Sequence, residues 1–196
     1  MQQTDESLIN AYCRGERDAF VELMRRYGDS VLGYLMRMSG SREQAEDLFQ
    51  ETFKRVYEKA HTFHGARFRN WLFTIATRVA IDSLRMRKRL KLISLDQRAD
   101  CDGDIDNRRE AVAVMDTSCN PSTDIVRAEQ TEQVRRAVAK LPERQRTTLI
   151  LAYYEQLSYS EVAEVMGCSV GTVKTQMFRA LRTLAKSLPD ISEGLQ

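Results

Sequence analysis

No stretch of this 196-residue chain approaches the ~18 to 20 apolar residues needed to span a bilayer. Its first residues include Asp5 and Glu6 where an export signal would have a positive start and an apolar core. Membrane insertion and secretion are therefore not expected, and the chain reads as cytoplasmic. Cysteine is sparse too. Cys13, Cys101, Cys119 and Cys168 stand far apart, with no Cys-x-x-Cys pair to suggest zinc, and a chain of this size does not need disulfides. The two histidines, His61 and His64, are spaced for a metal but are too few to complete a ligand set. The sequence also lacks a nucleophile beside a base, a phosphate-cradling glycine loop and a Walker lysine. Neither an enzyme nor a cofactor is expected.

Apolar residues make up 42% of the chain and charged residues 30%, which places it among globular proteins with room for one or two domains. The net charge of +2 conceals an uneven distribution. Residues 1–66 carry nine basic and eleven acidic groups, whereas residues 67–91 carry eight basic groups against Asp82 alone. Residues 92–124 reverse this, with three arginines against eight acids, and residues 125–196 hold ten basic and eight acidic groups. A basic block beside an acidic one marks interaction surfaces, and the basic block suits a polyanion such as nucleic acid.

Apolar spacing of three and four predicts helices nearly everywhere outside the acidic tract, with no strand pattern. Residues 5–38 hold two candidate helices, punctuated by Gly40, and Ser41 with Gln44 reads as a capping box for the next. That third helix sets Ala45, Leu48, Phe49, Thr52, Phe53, Val56 and Tyr57 on one face and Asp47, Gln50, Glu51, Lys54 and Glu58 on the other. A fourth helix, from near Arg67 to about Arg89, has the apolar stripe Phe68, Trp71, Leu72, Ile75, Ala76, Val79 and Met86. Its far side gathers Asn70, Thr77, Arg78, Arg85 and Lys88, and Asp82, nearer the stripe, is expected to pair with Arg78 or Arg85. The fold class is thus all-α: two small helical domains, residues 1–91 and 125–190, joined by a flexible acidic linker at 92–124. The run Asp100, Asp102, Asp104, Asp106 does not fit an EF-hand loop, because Ile105 and Ala111 stand where glycine and glutamate are required.

In the C-terminal domain, Pro142 opens a helix in its first turn, Ser158 and Glu161 form a second capping box, Gly167 breaks the chain, and Ser169 caps a last helix. Helix, short glycine turn and helix is the helix-turn-helix arrangement, with Ala163 at the close crossing. Val170, Val173, Met177, Ala180, Leu181 and Leu184 form the inner side of the last helix. Thr172, Thr175, Arg179 and Arg182, flanked by Lys174 and Gln176, form the outer side, and these groups read base edges and phosphates. The alternative is a helical hairpin whose polar face is merely solvated.

Four segments occur in order: AEDLFQETF at 45–53, FRNWLFTIATRVAIDSLR at 68–85, LPERQR at 141–146 and LSYSEVAEVMGCSVGTVK at 157–174. Together they resemble the extracytoplasmic-function branch of the bacterial sigma-70 factors. The resemblance implies a first domain that melts and reads the promoter −10 element, a second that reads −35, and a linker lying in the polymerase near the RNA path. It implies docking of Asp47, Gln50 and Glu51 on the coiled coil of the largest subunit of core RNA polymerase, and contact with the second-subunit flap. The unpaired −10 strand would lie on Phe63, Arg67, Asn70, Arg78, Arg85, Lys88 and Arg89, with Phe63 as a stacking group and Trp71 kept for the core. Ser169, Thr172, Lys174, Thr175, Gln176 and Arg179 would face the −35 element. Promoter DNA, an anti-sigma factor and a role in stress response are implied, with the free protein a monomer and no metal bound. The family commonly follows Thr-Val-Lys with a small residue and then arginine, whereas here Thr175 is followed by Gln176 and Met177. That departure leaves the −35 preference open. A free-standing helix-turn-helix regulator is the alternative function.

Overall fold

The computed structural model describes residues 3–64, 67–96 and 121–188, and among them every regular element is helical. Helix α1 (Asp5–Cys13) starts at Thr4, whose hydroxyl accepts from the Ser7 N–H at 3.2 Å, with Asp5 and Glu6 placed favourably in the positive first turn. Asp5 also ties α1 to α2 (Arg17–Ser39), through Arg26 at 2.8 Å and the Tyr27 hydroxyl. Burial, and then the Asp5 carboxylate, raise the Tyr27 pKa. Helix α2 stops at Gly40, whose φ of +79° is a left-handed conformation that costs glycine nothing.

Helix α3 (Arg42–Lys59) departs from expectation at its first residue. Ser41 is the N-cap but its side chain makes no capping bond, and the Gln44 Oε1 is buried without a hydrogen-bond partner among the described residues. The serine that works at this corner is Ser39, whose hydroxyl donates to the carbonyls of Leu35 and Ser41. Tyr57 is also half exposed, though its ring still lies against Tyr12 and Phe20. A 3₁₀ turn (Ala60–Thr62) leads into α4 (Phe68–Asp96), which outruns the expected end near Arg89. Its inner residues Phe68, Leu72, Phe73, Ala76, Val79 and Ala80 pack against α2 and α3.

The second half begins with α5 (Pro121–Lys140), a few residues before the expected boundary, and the stretch 97–120, most of the proposed linker with its aspartates, lies outside the described residues. Pro142 is the N-cap of α6 (Glu143–Leu149), which widens into a π-helical turn (Ile150–Tyr154). Helix α7 (Tyr159–Met166) then opens with the expected capping box: Ser158 Oγ accepts from the Glu161 N–H, and the Glu161 carboxylate accepts from the Ser158 N–H at 2.9 Å. Gly167, at φ +61°, turns the chain into α8 (Val170–Ser187), capped by Ser169 accepting from the Thr172 N–H at 3.1 Å. Ser158→Ala removes one half of the α7 box and is expected to lower unfolding free energy by about 1 kcal/mol. Urea denaturation of the full chain checks it.

The two halves share one apolar core. Tyr34 and Met38 of α2 are fully buried, and Thr147 of α6 approaches the Met38 sulfur at 3.7 Å. Arg146 donates to the Met38 carbonyl at 2.7 Å, while the Arg37 guanidinium stacks 4.2 Å over the Tyr154 ring.

Candidate nucleic-acid and polymerase interfaces

Three surfaces follow from this architecture. The first is the outer face of α3. Burial of Ala45, Leu48, Thr52, Phe53 and Val56 turns Asp47, Gln50, Lys54 and Glu58 to solvent, with Glu51 at the margin. Glu51 pairs with Arg55 one turn on, at 2.7 Å, whereas Asp47 makes no ion pair among the described residues. Asp47 and Gln50 therefore stand ready for a partner without a bond to break.

The second surface runs along α4, and here the structure corrects several expectations. Phe63 is only 9% exposed, closing the 3₁₀ turn with its N–H on the Ala60 carbonyl and its ring against Phe68 and Trp71 at centroid distances of 6.0 and 5.5 Å. It is a packing residue in this form and has no free face for a base. Trp71 packs against the core as expected. Asn70, expected outside, is 2% exposed, its Nδ2 donating to Glu164 at 2.8 Å. Thr77 is likewise buried, at 2.9 Å from the Tyr34 hydroxyl. One cause explains both residues: α4 is covered on two sides, by α2 and α3 and by the second half, so a single-stripe reading misplaces positions 70 and 77. Asp82 is exposed and makes no ion pair among the described residues, and Met86 is exposed as well. Arg78 and Arg89 are exposed as expected, and Arg67, Arg85 and Lys88 also reach the surface.

These last three cations are met by acids that sequence reasoning did not connect to them. Arg67 Nη1 lies 2.7 Å from Glu161, Lys88 Nζ lies 2.7 Å from Glu143, and Arg85 Nε lies 4.0 Å from the same carboxylate. Arg69, not singled out from the sequence, donates to the Glu155 backbone carbonyl and sits 3.7 Å from its carboxylate. That carboxylate is only 6% exposed and also accepts from the Ser30 hydroxyl at 2.5 Å. Arg67 and Glu161 are ninety-four residues apart, and no local pattern signals such a pairing. Glu161 is held below the usual carboxylate range, first by the Ser158 hydroxyl and N–H, then by Arg67.

The third surface is α8. Val173, Met177 and Ala180 are buried, which turns Lys174, Thr175 and Arg179 fully outward and leaves Thr172 and Gln176 half-buried at the edges of the same face. The Thr172 hydroxyl meets Ser169 and the Thr175 hydroxyl donates to the Gly171 carbonyl at 3.0 Å. Val170 and Leu181, expected inside, are exposed, because only one narrow stripe of α8 touches α6 and α7.

An acidic helical face, a basic helix end and a capped helix-turn-helix on one chain fit a DNA-binding protein of transcription. The chain matches the models of sigma-70 region 2 over residues 23–90 and of sigma-70 region 4 over residues 131–184. It is 31% identical to the ECF RNA polymerase sigma factor SigW of Bacillus subtilis, over 97% of this chain and the whole of that protein. It is 33% identical to the RNA polymerase sigma-H factor of Pseudomonas aeruginosa, over 95% of each chain. The chain therefore belongs to the extracytoplasmic-function sigma factors of the sigma-70 family, which direct RNA polymerase to promoters and are in general not enzymes. The fold is similar to CnrH in complex with the cytosolic domain of CnrY, with a TM-score of 0.66 and 22% identity over 94% of this chain and 97% of that one. A second likeness is to RpoE in complex with the anti-sigma factor NepR from Bartonella quintana, with a TM-score of 0.62 and 22% identity over 87% and 97%. Among the described residues no helix is long and apolar enough to cross a membrane.

Proposed function

We propose that residues 3–96 dock on core polymerase through Asp47, Gln50 and Glu51 and hold the opened −10 strand on α4, while α8 reads −35. The acidic face would meet the coiled coil of the largest subunit, and the second half the flap of the second subunit. The observation that carries this reading is the segregation of charge: exposed acids on α3, cations gathered along α4, and polar groups on the outer side of α8. Acids cannot serve as a DNA face, so α3 suits a basic protein partner, whereas the α4 cations can follow a single-stranded backbone. The chain works in the cytoplasm without catalysing a reaction, and an anti-sigma factor covers its polymerase-binding surfaces between signals. Transcription from a random promoter library with purified core enzyme tests the reading, because it reports both DNA elements at once. Absence of any specific transcript would overturn it.

The basic end of α4 supplies a narrower test. In holoenzyme, Arg85→Ala, Lys88→Ala and Arg89→Ala together are expected to lower promoter opening and flatten its salt dependence, by a slope of about 0.7 for each single-strand phosphate no longer neutralised. Arg85 and Lys88 have more than half of their side chains exposed, so melting temperature should change little. Opening that keeps the parent's level and salt slope would remove these cations from the strand path.

A further inference from the structure

Asp82 is the one acid among the cations of residues 67–91, and helical spacing would pair it with Arg78, four residues before it, or Arg85, three after. The structure pairs it with neither. Arg85 turns to Glu143 of α6, at 4.0 Å, and Arg78 makes no ion pair among the described residues. The Asp82 carboxylate is exposed and accepts no hydrogen bond among them either. At 3.6 residues per turn, Arg78, Asp82, Arg85 and Arg89 fall within about 60° of one another around the helix axis, so the acid stands inside the cationic stripe rather than at its margin. All four are exposed. A stripe that only gripped phosphates would gain from losing this charge, which repels them. An ionised carboxylate is acceptor-only, so on DNA it must find a donor, and the bases alone carry donors. Thymine presents O4 to the major groove and guanine presents O6 and N7, all acceptors, while adenine sets its N6 donor beside the acceptor N7. Cytosine sets its N4 donor beside the apolar C5–H edge. Met86, one turn on from Asp82 and 60% exposed, gives the carboxylate a matching apolar neighbour.

We propose that Asp82 is a specificity residue for the −10 region, accepting from the N4 amino group of one cytosine whose C5 edge packs on Met86, while Arg78 and Arg89 hold the flanking phosphates. The inference rests on the assignment of α4 to the −10 element. Its selectivity is as much rejection as attraction: a guanine or thymine at the same place would set its acceptors against the carboxylate, and the charge would then stand unpaired between arginines and phosphates. The N4 group is offered both by an unpaired cytosine and, through its second hydrogen, by a paired one in the major groove. The contact therefore survives the opening of the duplex.

The test is transcription by parent and variant holoenzymes from a promoter library randomised across the −10 element and the base pairs next to it. The parent is expected to favour cytosine over guanine or thymine at one position by roughly five- to tenfold, as a single good contact allows. Asp82→Asn, whose amide both donates and accepts, should move that position towards adenine. Asp82→Ala should flatten it and raise the use of the other sequences, because a charge opposed to phosphate has gone. Both changes lie on an exposed position, so the fold should be kept. Base preferences that stay the same in Asp82→Asn and Asp82→Ala overturn the proposal, and a rise shared by all sequences would make Asp82 no more than a brake on phosphate binding. Arg78→Ala in the same library separates this outcome from failure of the underlying assignment, since loss of a phosphate contact should lower all sequences alike. If Arg78→Ala does so while the Asp82 variants shift no position, the inference about Asp82 falls and α4 stays on the DNA. If Arg78→Ala also leaves transcription unchanged, the assignment of α4 falls with it.

Discussion

Assembly with core RNA polymerase is expected to weaken by about 100-fold or more when Asp47 and Glu51 are both replaced by lysine, because like charges set against a basic docking surface cost several kcal/mol. The two positions do not contribute alike. Asp47 stands exposed with no ion pair among the described residues, so its reversal breaks no pair within α3. Glu51 accepts from Arg55 at 2.7 Å, so in the double variant the two new lysines and Arg55 set three cations one turn apart, each neighbouring pair costing α3 itself a few tenths of a kcal/mol, on the order of 0.2 to 0.5. Neither change touches the buried stripe of Leu48, Phe53 and Val56, so helical content should be kept. The measurement is competition of the variant against labelled parent for core enzyme. A double variant that competes as well as the parent moves the docking surface away from α3.

How much of this was legible beforehand depends on the range of the interaction concerned. The α3 face, the Ser158–Glu161 box, the Gly167 turn and the Ser169 cap follow from periodicities and capping rules that act within one or two turns, and the structure contains each of them. Ser41 fails on the same rule: its hydroxyl caps no helix N–H, and its own N–H, which Gln44 would have taken, faces the Ser39 hydroxyl at 3.5 Å. Asn70, Thr77 and Phe63 failed for a different reason, since each is buried by a tertiary partner: Asn70 by Glu164 of the second half, Thr77 by Tyr34 of α2, and Phe63 by the rings of Phe68 and Trp71. A helix packed on one side shows a single stripe, but α4 is packed on two. Glu155 is the extreme case: an acid after the π turn, in no recognisable pattern, buried between Ser30 and Arg69 from the first half. The motifs imply which residues would serve DNA, and the tertiary structure adds what those residues touch within the chain.

Position 176 carries the last expectation. Burial of Val173, Met177 and Ala180 fixes the rotation of α8, so that Lys174, Thr175 and Arg179 point outward with Thr172 and Gln176 at the edge of that face. The two threonine hydroxyls are engaged locally, with Ser169 and the Gly171 carbonyl. The Gln176 amide makes no hydrogen bond among the described residues, and it lies within two turns of the helix start, where a recognition helix enters the major groove. An amide can pair with N6 and N7 of adenine, whereas a guanidinium prefers O6 and N7 of guanine, and a good bidentate contact discriminates by about 1 to 3 kcal/mol. Gln176→Arg is therefore expected to move one −35 position from A·T towards G·C by roughly 5- to 150-fold in relative use. Lys174→Ala should instead weaken all sequences alike, as removal of a phosphate-binding cation does. A promoter library transcribed by the parent and both variant holoenzymes measures the two effects together. Identical −35 preferences for parent and Gln176→Arg would make the amide a flank contact, and would leave base reading to Arg179 and the threonines.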